Sequence, residues 1–256
     1  MTLRLLDLFS GIGGFSYAAE HLVGGFKTVQ FVEREPFCQG ILRKHWPTIP
    51  IHDDICTFNP DRGSADVVCG GFPCQDISTA GKQAGIREGT RSGLFYELIR
   101  VVRLVGPQFV VLENVSAITS NGLDTVLGTL AEAGFDAEWA CIPAADVGAC
   151  HRRDRWWCVA YANGQRQRRG KKCNQQPPAW FQASQRNNPD GLVVDAPRRL
   201  NPDWRGYLSE PVLCRGDDGL SGRVDRLRAL GNAVVPQVAA IPLARVLELH
   251  HAQAFG

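Results

Sequence analysis

Leu3-Arg4-Leu5-Leu6-Asp7-Leu8-Phe9-Ser10-Gly11-Ile12-Gly13-Gly14 is the stretch whose reading decides the fold class. Its apolar run reads as a buried strand, its glycines as a turn, and the residues after them as the start of a helix. A strand–turn–helix unit of this kind begins a parallel sheet with crossover helices, whose ligand-binding edge lies at the carboxyl ends of the strands. The glycines let a ligand approach the backbone there, although the same turn also suits a tight connection that binds nothing.

Working outward, the pattern repeats. Candidate strands are KTVQFVE (residues 27–33), ADVVCGG (65–71), QFVVLENV (108–115), AEWACI (137–142) and RWWCVAYA (155–162). Between them, Leu94, Leu98, Val101, Val102 and Val105 mark one face of a helix, and Leu123, Val126, Leu127 and Leu130 mark another. The expected fold is α/β: a doubly wound, mostly parallel, Rossmann-like sheet over residues 1–162. From 163 to 225 the periodicity dissolves into Gln, Arg, Asn, Pro and Gly, with Trp180, Phe181 and Trp204 as aromatic anchors. That reads as a loop-rich lobe or a linker. Regular structure resumes over 226–256, where a Gly231-Asn232 turn leads through Val234 into a last amphipathic helix ending near His250.

The 256 residues and 44% hydrophobic content suffice for one sizeable core. No run approaches a membrane span, and no basic segment precedes an apolar one at the N-terminus, so a cytoplasmic protein is expected. Nine cysteines, odd in number and without a CxxC pair, predict reduced core thiols and no metal site. Charge is uneven: Lys and Arg against Asp and Glu give −6 over residues 1–146 and +8 over residues 147–230. The second block would attract a polyanion, and is equally consistent with a solvated basic face.

Four further clusters carry chemistry. Glu33 ends the second strand, where an acid can take the hydroxyls of a ribose; Asp53 and Asp54 follow the next strand, and either could accept from an adenine amino group or simply be solvated. Gly70-Gly71-Phe72-Pro73-Cys74-Gln75-Asp76-Ile77-Ser78 follows an apolar strand, and Pro73 holds the turn that presents the Cys74 thiol at the mouth of the sheet. Glu113-Asn114-Val115 ends the neighbouring strand, which puts Glu113 on the same edge as Cys74. A thiol and a carboxylic acid facing one pocket suit covalent and general acid catalysis. In His151-Arg152-Arg153-Asp154-Arg155, strand alternation predicts Arg153 and Arg155 on one face, a pair suited to a phosphate, to a base carbonyl or to surface ion pairs.

Taken in order, DLFSGIGG, Glu33, GGFPCQDIS, ENV, HRRDR and LGNAVVP resemble the motifs of DNA cytosine C5-methyltransferases. The resemblance spans nearly the whole chain outside residues 163–222, and LCRGDDG…RVDRLRALGN is similar to small phage or prophage enzymes. It implies S-adenosylmethionine as cofactor, leaving S-adenosylhomocysteine, with Phe9, Gly11 and Gly13 lining its site, Glu33 on its ribose, Asp54 on its adenine, and Asn232 and Val234 completing the pocket. It also implies Pro73 and Cys74 as the catalytic turn, Glu113 acting at cytosine N3, Arg153 and Arg155 supporting a flipped base, and Gln75 and Ser78 touching DNA. Residues 1–162 would then be the catalytic and cofactor-binding domain, 163–225 the target-recognition region, and 226–256 a segment returning to the first. Duplex DNA is the implied partner of a monomer without metal, and the family admits a companion restriction endonuclease. Two departures stand out: Cys150-His151 replaces a common Pro-Gln, and the recognition insert is short. A tRNA cytosine C5-methyltransferase would share the same chemistry. A silent DNA-binding scaffold leaves the chemical residues idle, and a nicotinamide oxidoreductase leaves Pro73-Cys74 and ENV unexplained.

Overall fold

The computed structural model describes residues 2–73, 93–149, 152–162 and 231–254. Six of its strands coincide with the apolar runs above: β1 (Leu3–Leu8), β2 (Phe26–Val32), β4 (Val67–Gly71), β5 (Phe109–Val115), β6 (Phe135–Pro143) and β7 (Asp154–Ala162), with β3 (Ile51–His52) a short addition. They form one sheet in the order β3-β2-β1-β4-β5-β7-β6. The pairs β1–β2, β1–β4, β2–β3 and β4–β5 are parallel, whereas β7 runs antiparallel to both β5 and β6. The sheet is therefore mostly parallel, with β7 slotted between β5 and β6.

Continuous apolar runs are required because helices cover both faces. In β5, Val110 and Leu112 enter one cluster while Phe109 and Val111 enter the other. The first cluster is closed by helix α3 (Leu94–Val105), through Phe95, Leu98, Ile99 and Val102, and by α4 (Leu123–Glu132), through Val126 and Leu130. The second is closed by α1 (Gly14–Tyr17), which continues as a π-helical stretch over Ala18–Val23, and by α5 (Pro236–Ala254), through Val238, Ala239, Leu243 and Val246. Helix α2 (Pro36–His45) brings Leu42 against Gly13, the residue before α1. The described part of the C-terminal segment thus lies on the first unit, while residues 163–225 lie outside the described residues.

The described cysteines, Cys38, Cys56, Cys69, Cys141 and Cys158, are reduced thiols. Among the described residues no helix is long and apolar enough to cross a membrane.

Candidate active site

Five parallel strands deliver their carboxyl ends to one edge, and the chemistry collects there. At β1 the chain turns sharply: Phe9 (φ 53) is left-handed despite its side chain, and Gly11 (φ 55) and Gly13 (φ 86) follow. The turn is braced from below. Ser10 Oγ donates to the Asp7 carbonyl at 2.6 Å, and Ser16 Oγ donates to Asp7 Oδ2 at 2.7 Å. Asp7 is fully buried beside the Cys69 thiol of β4, its register partner, and burial pushes its carboxyl up to about 7.

Glu33, nearly buried at the end of β2, holds the same turn from the side. Its Oε2 accepts from the Gly11 amide at 2.7 Å and its Oε1 from the Glu35 amide at 2.7 Å. Each oxygen keeps a second acceptor site. Asp54 caps its own loop through Cys56 N at 2.9 Å, and that hydrogen bond holds its carboxyl below the usual range, as an ionised acceptor.

The return segment closes over the turn. A Cβ built on Gly14 would stand 2.7 Å from the Val234 carbonyl oxygen, so the two backbones touch. Ile12, Gly13, Gly14, Trp46, Arg153 and Val234 line a cleft of about 500 Å³. Gly11 faces outward with no heavy atom within 4 Å of a built Cβ. An open glycine backbone, a carboxylate with spare lone pairs and an ionised acid beyond it form a donor and acceptor set that fits an adenosine-bearing cofactor. Phe9, Gly11, Gly13, Glu33 and Val234 lie around this edge, Asp54 lies in the loop after β3, and Asn232 is exposed at the start of the returning segment.

At β4 and β5 lies the acid. Gly71 is the register partner of Glu113, and a Cβ on Gly71 would be 2.9 Å from Glu113 Oε2. The carboxyl therefore lies over Gly71, two residues before Pro73. Arg155 Nε donates to Glu113 Oε1 at 2.9 Å, and the Glu113 side chain is 13% exposed. Burial nevertheless wins over both guanidinia, and the Glu113 carboxyl is raised above its ordinary value. A raised carboxyl gives up its proton less readily than an ordinary one. Asn114, unremarked as a site residue in the sequence, is buried and donates from Nδ2 to the Phe72 carbonyl at 3.1 Å, tying β5 to the backbone leading into Pro73. Its only sequence signal was its place beside Glu113. Cys74, Gln75 and Ser78 lie outside the described residues.

Arg153 departs from expectation. Strand β7 begins at Asp154, and Arg153 precedes it with φ 34, so alternation does not set its direction. Its guanidinium instead donates to the carbonyls of Gly231 at 2.7 Å and Ala233 at 2.8 Å. It still acts electrostatically on Glu113 together with Arg155. The two arginines do converge on the acid, but by a backbone kink and not by pleat.

The model of C-5 cytosine-specific DNA methylases matches residues 3–202. This chain belongs to that family. Among relatives, it is 34% identical over 164 residues to the type II methyltransferase M.CviJI of Paramecium bursaria Chlorella virus IL3A, covering 62% of this chain and 43% of that protein. It is 30% identical over 232 residues to M.MspI of Moraxella sp, covering 87% of this chain and 51% of that one. It is 34% identical over 169 residues to M.HhaI of Haemophilus parahaemolyticus, covering 63% and 50%. The chain thus spans about half the length of the curated relatives it matches. The fold is shared with the S. pombe Dnmt2 methyltransferase, at TM-score 0.56 and 21% identity over 75% of this chain and 57% of that one. A putative DNA modification methyltransferase encoded within an E. coli prophage aligns at TM-score 0.51 and 24% identity, covering 64% and 47%.

Proposed function

We propose that this C5-methylase family member transfers a methyl group from S-adenosylmethionine to C5 of cytosine in duplex DNA. The observation that carries the reading is the raised, arginine-braced Glu113 carboxyl lying over Gly71, one strand away from the glycine turn and at the backbone that leads into Pro73-Cys74. Bound S-adenosylmethionine supplies an electrophilic methyl. Cytosine C5 is a poor nucleophile, so the chain must first activate the ring. Cys74, as thiolate, adds at C6, and Glu113 protonates or hydrogen-bonds N3, so that electron density gathers at C5. After methylation a base removes the C5 proton and the Cys74 thiolate leaves. Arg155 orients Glu113 and keeps its carboxyl from rising further.

None of these atoms is reachable in a stacked duplex, so the base leaves the helix at a cost of a few kcal/mol. The excess of Lys and Arg over residues 147–230 suits the phosphate contacts that this needs. Glu33 takes the cofactor ribose, Asp54 the adenine, and Asn232 and Val234 close the pocket; Gln75 and Ser78 contact the DNA near the place the flipped base has left.

The test is transfer of radiolabelled methyl to duplex DNA and, separately, to tRNA, by wild type and Cys74→Ser. Label in DNA alone, absent from Cys74→Ser, is expected. Label in tRNA alone, or normal turnover by Cys74→Ser, would overturn the reading.

A further inference from the structure

The glycine turn is also held from behind, by residues that the mechanism does not use. Trp46, just past the end of α2, lays its indole against Gly13: a Cβ there would be 2.6 Å and 2.8 Å from two atoms of the ring. The same ring meets Phe31 of β2 edge-on, with centroids 5.4 Å apart. Its position is set by one hydrogen bond, since Trp46 Nε1 donates to Glu20 Oε2 at 2.8 Å. The other oxygen of Glu20 accepts from the Thr28 amide at 2.7 Å. Glu20 belongs to the π-helical stretch Ala18–Val23, and Thr28 sits where the register of β1 against β2 slips between Leu5 and Leu6. Single-turn π-helical distortions tend to mark functional sites. Here the distortion coincides with the residue that ties α1, β2 and Trp46 to one carboxylate.

We infer that Glu20 and Trp46 are positioning residues that set the conformation of the Gly11–Gly13 turn, and through it the affinity for the adenosine cofactor. The inference rests on the cofactor reading above. Among the described residues, no hydrogen bond or ion pair joins Glu20 or Trp46 to Glu113. The indole lies against Gly13 at the wall of the cleft described above, so the turn cannot move toward Trp46, and the carboxylate holds the indole. Removing the link lets the turn move while the sheet and the DNA-facing charge stay as they were.

The experiment is isothermal titration of the full chain with S-adenosylhomocysteine, which binds without being consumed, alongside duplex DNA affinity and thermal unfolding. The variants are Glu20→Gln, Trp46→Phe and the double variant. Glu20→Gln is nearly isosteric but can accept from only one of the two N–H groups, and Trp46→Phe keeps a ring but loses the donor. Each single variant is expected to weaken S-adenosylhomocysteine by roughly tenfold, because an oriented charged hydrogen bond of this kind is lost. The double variant should weaken it by the same factor rather than by the product, because both break one link. DNA affinity should stay within about threefold, since phosphate contacts dominate it. Folded single variants with wild-type affinity, or losses that multiply, or parallel losses for DNA and S-adenosylhomocysteine, would each overturn the inference. A wild-type chain that fails to bind S-adenosylhomocysteine would overturn the cofactor reading itself, and this inference with it.

Discussion

Replacing Asp7 by Asn should change how stability depends on pH, and the size of the effect follows from its site. Asp7 is fully buried under the glycine turn, its Oδ2 bound by Ser16 and its carboxyl beside the Cys69 thiol. Burial raises its carboxyl from 3.8 to about 7. A raised carboxyl means that the folded state prefers the protonated form, so the associated stability is fully present below the unfolded value and is lost as pH rises through the folded one. Three units at about 1.36 kcal/mol each give a total of about 4 kcal/mol. Some 2–3 kcal/mol of it should fall between pH 5 and 8, because part is already lost by pH 5. Asn has no charge to bury and can still accept from Ser16 Oγ. Urea unfolding of wild type and Asp7→Asn across that range should show the wild type losing ground steadily on the variant as pH rises. A difference between the two that does not vary with pH would refute the reasoning, since it would mean that Asp7 does not titrate in the folded chain.

Gly71→Ala should lower the methyl-transfer rate by on the order of 100-fold with little change in melting temperature, because a Cβ 2.9 Å from Glu113 Oε2 pushes aside the acid on which the geometry depends. Arg155→Ala removes a charge that lowers the Glu113 carboxyl, so the fall of kcat at high pH should shift to higher pH in that variant, as read from a pH–rate profile. Gly13→Ala combines a left-handed φ of 86 with a collision against Trp46. It should cost at least about 2 kcal/mol in chemical unfolding.

What the sequence made legible was what local pattern can carry. The β5 run Phe109–Leu112 could be read as a doubly buried strand because every residue in it is apolar, and Glu113 could then be placed at its carboxyl end by length alone. The parallel neighbourhood of β4 and β5 followed from the intervening helix, and it brought Gly71 and Glu113 to one register. The insertion of β7 between β5 and β6 had no local signal, because both edges of an antiparallel strand look alike in sequence. Trp46 and Glu20 escaped for a similar reason: an indole after a helix and an acid within one are ordinary residues until the fold sets them 2.8 Å apart across 26 positions.

Arg153 shows most clearly where local reading stops. Its motif announced a cationic residue near a strand, and alternation gave it a direction by a rule that holds only inside the strand. The strand starts one residue later, and φ 34 turns the side chain onto carbonyls 78 and 80 residues further along. A guanidinium presents its donors in a fixed fork, so one side chain can hold two carbonyls of the returning segment at once. That segment's Val234 lies on Gly14 at the glycine turn, and the same guanidinium opposes the burial that raises the Glu113 carboxyl. One charged side chain therefore both holds the returning segment and acts on the Glu113 carboxyl, the two parts of the edge that the proposed function assigns to cofactor and base.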